Sequence, residues 1–217
     1  MIIDERYTTF VNSYLPQKSA FLEELEENAK KENVPVIRRE MQGLLSVIIT
    51  SKRPAKILEI GTAVGFSALF MEDISEVPVQ ITTIENYEKR IREAEKNFRM
   101  AGKEDAIRLL KGDAQEILPT LTEDYDLIFM DAAKGQYLNF LEDTIRLLDD
   151  HGLLISDNIF QDGELIESRF AVKRRDRTIH KRMREFLYQI THDPRLVTSI
   201  LTVGDGVAIS VKRGCKE

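Results

Sequence analysis

The sequence predicts an α/β fold: a seven-stranded, mostly parallel sheet with helices on both faces, a C-terminal antiparallel hairpin and extra N-terminal helices. Three observations predict it. From residue 56 onward, short β-rich runs alternate with helix-like stretches, the pattern of a parallel sheet covered on both sides. At the end, RLVTSILTV and GVAISVKR are two strand-like runs joined through Gly204-Asp205-Gly206, which reads as a hairpin. The first fifty residues carry apolar side chains at three- and four-residue spacing, separated by Pro16 and Pro35, which reads as consecutive helices.

Taken in order, FVNSYL, SAFLEELEENAKKE and VIRREMQGLLSVIITSK are the N-terminal helices. They make residues 1–52 a helical segment ahead of an α/β core at 53–217, all within one domain spanning 1–217, a length that supports a substantial core. The parallel strands are KILEI (56–60), QITTI (80–84), IRLLK (107–111), DLIFM (126–130) and GLLIS (152–156). Helices are expected near 65–76, 87–101, 114–121 and 135–149.

Composition narrows the class. Hydrophobic residues make up 42% and charged residues 31%, ordinary for a globular chain. The best apolar run, LLSVII at 44–49, is far shorter than the roughly 20 residues of a membrane span. MIIDERYTTF lacks the basic region and apolar stretch of a secretion signal. The single cysteine, Cys215, forms no internal disulfide and fits a reducing cytoplasm. Three scattered histidines without a cysteine cluster argue against zinc.

In open parallel sheets, ligands bind beyond the carboxyl ends of the strands, so the residues after each strand carry the functional reading. Strand one is followed by Gly61-Thr62-Ala63-Val64-Gly65-Phe66-Ser67. Two glycines allow close ligand approach, and the free N–H groups of the next helix hold a carboxylate. The G-x-x-x-G spacing misses the dinucleotide fingerprint. After strand two, Glu85 is placed to accept hydrogen bonds from a ribose diol. After strand three, Asp113 and Ala114 suit an adenine amino group and its flat ring. Together they fit adenosine plus an amino-acid carboxylate, the parts of S-adenosylmethionine. After strands four and five come Asp131 and Asp157-Asn158, hard oxygen donors that suit Mg²⁺. Lys134 follows Asp131 by one short turn and in such a site accepts a proton or stabilises an oxyanion.

These pieces, with EMQGLL, KILEIGTAVGFSALFM, TTIENYEKRIREAEKNF, GDAQEILP, YDLIFMDAAKGQY, GLLISDNIFQDG and GDGVAIS, resemble the Mg²⁺-dependent, catechol-type class I O-methyltransferases, with a Rossmann-like fold. The likeness runs over nearly the whole chain. It implies that Met41, Glu59, Gly61, Gly65, Ser67, Glu85, Asp113, Ala114 and Asp131 surround S-adenosylmethionine. It also implies that Asp131, Asp157 and Asn158 hold the metal, that Lys134 is catalytic alongside Asp131, and that the protein is a homodimer.

One stretch bears on the substrate. RFAVKRRDRTIHKRMRE (169–185) holds eight Lys/Arg and two acids in a chain of formal net charge -6. From Thr178 to Thr191 it reads as an amphipathic helix with Ile179, Met183, Phe186 and Ile190 buried. Its sparse acidic compensation points to a polyanion, with Arg174, Arg175, Arg177, Lys181 and Arg184 as phosphate contacts. The stretch is similar to that of the bacterial subgroup that methylates 5-hydroxyuridine in the tRNA anticodon loop. That ring's 5-hydroxyl and 4-carbonyl chelate a metal as a catechol does. The other readings are a small-molecule catechol, phenolic or coenzyme A ester O-methyltransferase, and a catalytically silent RNA-binding protein on the same scaffold.

Overall fold

A computed structural model describes residues 5–214; Cys215 and the first four residues of the N-terminal reading lie outside them. Three helices, α1 (Glu5–Asn12), α2 (Ala20–Lys31) and α3 (Arg39–Lys52), lead into the alternating core. There β1 (Lys56–Ile60), α4 (Phe66–Asp73), β2 (Gln80–Glu85), α5 (Glu88–Ala101) and β3 (Ile107–Lys111) form the first half. The second half is α6 (Ala114–Ile117), β4 (Tyr125–Met130), α7 (Tyr137–Leu147) and β5 (Leu148–Ser156). It continues through α8 (Arg177–His192) to β6 (Leu196–Leu201) and β7 (Val207–Lys212). The seven strands make one sheet in the order β3-β2-β1-β4-β5-β7-β6. The first five are mutually parallel, and β7 runs antiparallel between β5 and β6. The strand order reverses between β1 and β4, which opens a crevice at their carboxyl ends.

Both faces of the sheet are covered, which explains why its central strands carry apolar residues on both faces rather than alternating, with Glu59 a buried exception in β1. Ile57, Leu127, Phe129 and Ile155 point to one face with α2–α5; Leu58, Ile60, Ile128, Met130 and Leu154 point to the other with α6–α8. Successive strand residues face opposite sides, so one sequence run feeds two cores. In α3, Met41, Leu45 and Ile49 recur every four residues and are buried. Helices α2 and α3 thus share a core with β1 and α4. Among the described residues, no helix is long and apolar enough to cross a membrane.

Four expectations are corrected in detail. The first helix covers Glu5–Asn12, so only the start of FVNSYL is helical. Val36–Arg38 is excluded from α3, because Arg38 is extended (φ -63°, ψ 154°) and the helix begins at Arg39. The expected helix at 114–121 is a single α-turn followed by a 3-10 turn at Leu118–Thr120, since Pro119 lacks the N–H that would continue the ladder. In α8 the buried stripe is His180, Met183, Phe186 and Ile190. Ile179 is 37% exposed instead. His180 turns inward because its Nε2 lies 3.1 Å from the Glu167 carbonyl, which satisfies a buried polar ring.

Candidate active site

At the carboxyl edge of the sheet lies a cavity of about 670 Å³. Its walls are Gly61–Val64 and Ser67 after β1, Glu85 and Asn86 after β2, and Gly112–Ala114 after β3. Asp131–Lys134 after β4 and Asn158 after β5 complete it, with Pro35–Arg38 of the N-terminal segment as a further wall. The loop after β1 needs glycine for two separate reasons. Gly61 has φ +107°, and a Cβ there would come within 2.4 Å of the Asp131 carbonyl oxygen. Gly65 has φ +82° and would drive a Cβ to 2.5 Å from the Phe98 ring. Gly65 caps α4 without any side-chain acceptor, so the first-turn N–H groups near Ser67 are left for an anionic ligand.

Carboxylates hold this loop in place. Glu85 accepts N–H groups from Ala63 (2.9 Å), Asn86 (3.0 Å) and Tyr87 (2.9 Å) while lining the cavity. Asp113 caps α6 by accepting the Gln115 N–H at 2.8 Å while lining the cavity. Glu59 lies fully buried beneath the loop. Thr83 Oγ1 donates to Glu59 Oε2 at 2.5 Å, and Thr62 Oγ1 is 2.6 Å from the same hydroxyl. Burial pushes the Glu59 carboxyl up to about 7, although the Ser67 and Thr83 hydroxyls pull it back; the Asp131 and Glu85 charges add to the rise. Its Oε1 has no hydrogen-bond partner, an orphaned acceptor that a ligand ammonium would satisfy.

The second group of acids follows β4 and β5. Asp157 is pushed up to about 7 by burial and then by the charge of Asp131. Asp131 is likewise raised by burial, with Asn158 and Lys134 opposing. Asn158, held at φ +56°, donates its Nδ2 to Asp131 Oδ1 at 2.9 Å. The Asn158 N–H donates to Asp157 Oδ1 at 2.7 Å. Tyr137 Oη lies 2.9 Å from the Asp157 carbonyl and 3.1 Å from that of Met130, fixing the two strand ends together. Among the described residues no three His, Cys, Asp or Glu gather at one point; this set is two carboxylates and an amide. Lys134 Nζ donates to Asp205 Oδ2 at 3.3 Å. Asp205, nearly buried, also accepts the Asp162 N–H at 2.8 and 3.0 Å.

Of the site residues expected from the sequence, Gly61, Ser67, Glu85, Asp113, Ala114, Asp131, Lys134 and Asn158 meet in the cavity wall. Asp157 packs directly behind Asn158 and is 3% exposed. Met41 does not reach the cavity; it lies in the core on the inner face of α3. Glu59 and Gly65 lie beneath the wall rather than in it. The basic residues divide. Arg174, Arg175 and Lys181 are exposed, with Arg175 beside Asp176. Arg177 donates to the carbonyls of Val172 and Phe170, and Arg184 to that of Leu165. Those two cations brace the segment before α8. Sequence reasoning missed Arg38, which reaches Asp162 at 3.2 Å, and Asp205. For Asp205 a signal existed, an acid flanked by two glycines in the hairpin turn; for Arg38 there was none.

Residues 12–213 match the family described as O-methyltransferase. A catechol O-methyltransferase of Mycobacterium tuberculosis is 30% identical over 78% of this chain and 76% of its own length. A solved structure from Staphylococcus aureus superposes with a TM-score of 0.88 at 32% identity, covering 96% of this chain and all of that one. The Bacillus cereus O-methyltransferase solved in complex with SAH gives a TM-score of 0.83 at 25% identity, over 94% of this chain and 96% of that one. Two further curated matches are partial, and the chain spans about half of their length. The chain belongs to the O-methyltransferase family, in the class I, S-adenosylmethionine-dependent group of catechol and caffeoyl-CoA type.

Proposed function

We propose that this protein transfers the methyl group of S-adenosylmethionine to the 5-hydroxyl of 5-hydroxyuridine in the tRNA anticodon loop, in the cytoplasm and as a homodimer. The observation that carries the RNA half of this reading is the basic segment at 169–185, whose helix α8 packs on α7 behind the cavity wall. The free N–H groups at the start of α4 receive the donor's carboxylate, Glu59 its ammonium, Glu85 its ribose diol, and Asp113 with Ala114 its adenine. Asp131, Asp157 and Asn158 would hold Mg²⁺. The fit rests on chemistry: the three offer hard oxygen atoms, and two carboxylates whose proton affinity is raised by burial, that of Asp157 also by the charge of Asp131, gain from a cation beside them. Mg²⁺, when bound, supplies Lewis acidity that favours the ionised form of a substrate hydroxyl.

The chain's own residues position and neutralise. Lys134 holds the substrate oxyanion or takes its proton, and the Asp205 carboxylate keeps the ammonium in place. The apolar walls formed by Val36, Ile37 and Phe140 exclude water from the methyl-transfer line, so proximity supplies much of the acceleration. A second reading, methylation of a small catechol or phenol, is favoured by the catechol enzyme among the relatives. Mass spectrometry of nucleosides from bulk tRNA, in cells with and without the gene, separates the two. Loss of 5-methoxyuridine with accumulation of 5-hydroxyuridine is the expected result. An unchanged nucleoside profile assigns the small molecule.

A further inference from the structure

Beside the catalytic cavity, α7 and α8 enclose a second cleft of about 520 Å³, lined by Leu138, Arg169, Arg177, Lys181, Arg182 and Glu185. Four cations therefore face one acid, and Glu185 is engaged by Gln189 Nε2 at 3.3 Å. Among the described residues none of the four cations makes an ion pair, whereas Lys18, Arg195 and Lys103 elsewhere are closely paired. Arg182 donates Nη2 to Asn139 Oδ1 at 2.5 Å, yet its Nε is buried with no partner. Positive charge gathered without a carboxylate partner favours an anion, which accepts charge-assisted hydrogen bonds from several of these groups at once.

The cleft is tied to the catalytic wall. Asn139, which receives Arg182, donates Nδ2 to Gln136 Oε1 at 2.6 Å, and Gln136 lines the main cavity. Leu138 lines the cleft, two residues along the same segment. Phe170 is 88% exposed next to Arg169, and Arg177 Nη2 fixes its carbonyl at 3.4 Å. An exposed aromatic beside cations is the pairing used for single-stranded nucleic acid, where bases stack and phosphates are neutralised.

We propose that this cleft is a phosphate-binding subsite for the RNA strand flanking the methylated nucleotide, with Phe170 as a stacking platform for a neighbouring base. The inference rests on the RNA reading above and adds Arg169, Arg182 and Phe170 to it. A nucleotide inserted into the catalytic cavity leaves its flanking phosphates outside, and the Arg182–Asn139–Gln136 chain puts a cationic site next to that entrance.

The test uses an anticodon stem-loop carrying one 5-hydroxyuridine, with Kd measured by fluorescence anisotropy over a range of salt, and methylation of the same RNA measured in parallel. Calorimetry with S-adenosylhomocysteine reports on folding. For Lys181→Ala/Arg182→Gln, Kd is expected to rise about tenfold or more, and the slope of log Kd against log salt to fall by about 1.5. Phe170→Ala is expected to weaken binding about fivefold or more with no change in slope, and Arg182→Lys to restore most of the slope. If the wild type methylates the stem-loop and the variants keep its Kd and slope, the cleft is overturned and the RNA reading stands. If the wild type neither binds nor methylates it, both fall. Equal loss of S-adenosylhomocysteine affinity in every variant marks a folding role and overturns the subsite.

Discussion

Asp131 and Asp157 follow two adjacent strands, both are joined to Asn158, and burial raises both. Asp157→Ala is expected to abolish metal-dependent methyl transfer while S-adenosylhomocysteine binding, followed by calorimetry, is largely retained. Full activity in that variant would remove Asp157 from the site. Gly61 is a different kind of constraint, because its φ of +107° and the Asp131 carbonyl at 2.4 Å leave no room for a side chain. Gly61→Ala is expected to cost about 2 kcal/mol or more of stability and to weaken donor binding, since the displaced backbone carries Asp131. Chemical denaturation and calorimetry read the two effects separately. The glycines and the strand-end acids were legible because each follows an apolar run directly. For Asp205 the flanking glycines marked the position but not its role, and Arg38 carried no mark, because their partners lie far along the chain, Lys134 at 71 positions and Asp162 at 124.

Helix α8 combines two tasks that its sequence shows only as a mixture of apolar and basic residues. Met183, Phe186 and Ile190 are buried against α7 and the sheet, and Phe186 packs edge-on against Tyr137 at 5.4 Å. Since Tyr137 Oη links the Met130 and Asp157 carbonyls, this packing supports the acid pair from behind. Phe186→Ala is expected to destabilise the fold by about 3–5 kcal/mol, measured by urea denaturation. On the outer side the cations are not equivalent. Arg174→Ala/Arg175→Ala should weaken tRNA binding and flatten its salt dependence. Arg177→Ala should instead loosen the segment at 164–172, read as faster hydrogen exchange there. Normal tRNA affinity in the Arg174/Arg175 variant would show that this part of the segment serves no phosphate.

Across the whole molecule, stability should depend on pH through Glu59. Its carboxyl rises from 4.5 to about 7 on folding, so the folded state binds this proton more tightly than the unfolded chain. The associated stability is full below the unfolded value and is lost as pH rises through the folded one. The window thus runs from about pH 4.5 to 7, with an upper bound of about 3 kcal/mol. Glu59→Gln should reduce the pH dependence of the denaturation free energy over that window, leaving the share of Asp131 and Asp157, and make the variant the more stable at pH 8. An unaltered pH profile would mean that Glu59 stays ionised. The orphaned Oε1 adds that donor binding should strengthen as pH rises through the same window, because the ionised carboxylate is the form that pairs with an ammonium.

By itself the sequence determined the alternation of strands and helices, the hairpin ending and the identity of the residues at the strand ends. Those are local properties, set by side-chain periodicity and by turn residues whose backbone requirements few alternatives meet. Only the tertiary structure decided how far each residue reaches. Met41 packs in the core from α3, and Ile179 gave up its place in the buried stripe to His180. Arg177 and Arg184 became braces for a loop, while Arg169 and Arg182 came together around a cleft. The physical reason is that rotation of a helix about its axis, and the pairing of charges across long sequence separations, depend on what the rest of the chain offers as partners. Composition and spacing fix which groups are present; packing fixes which of them are satisfied and which are left to meet a ligand.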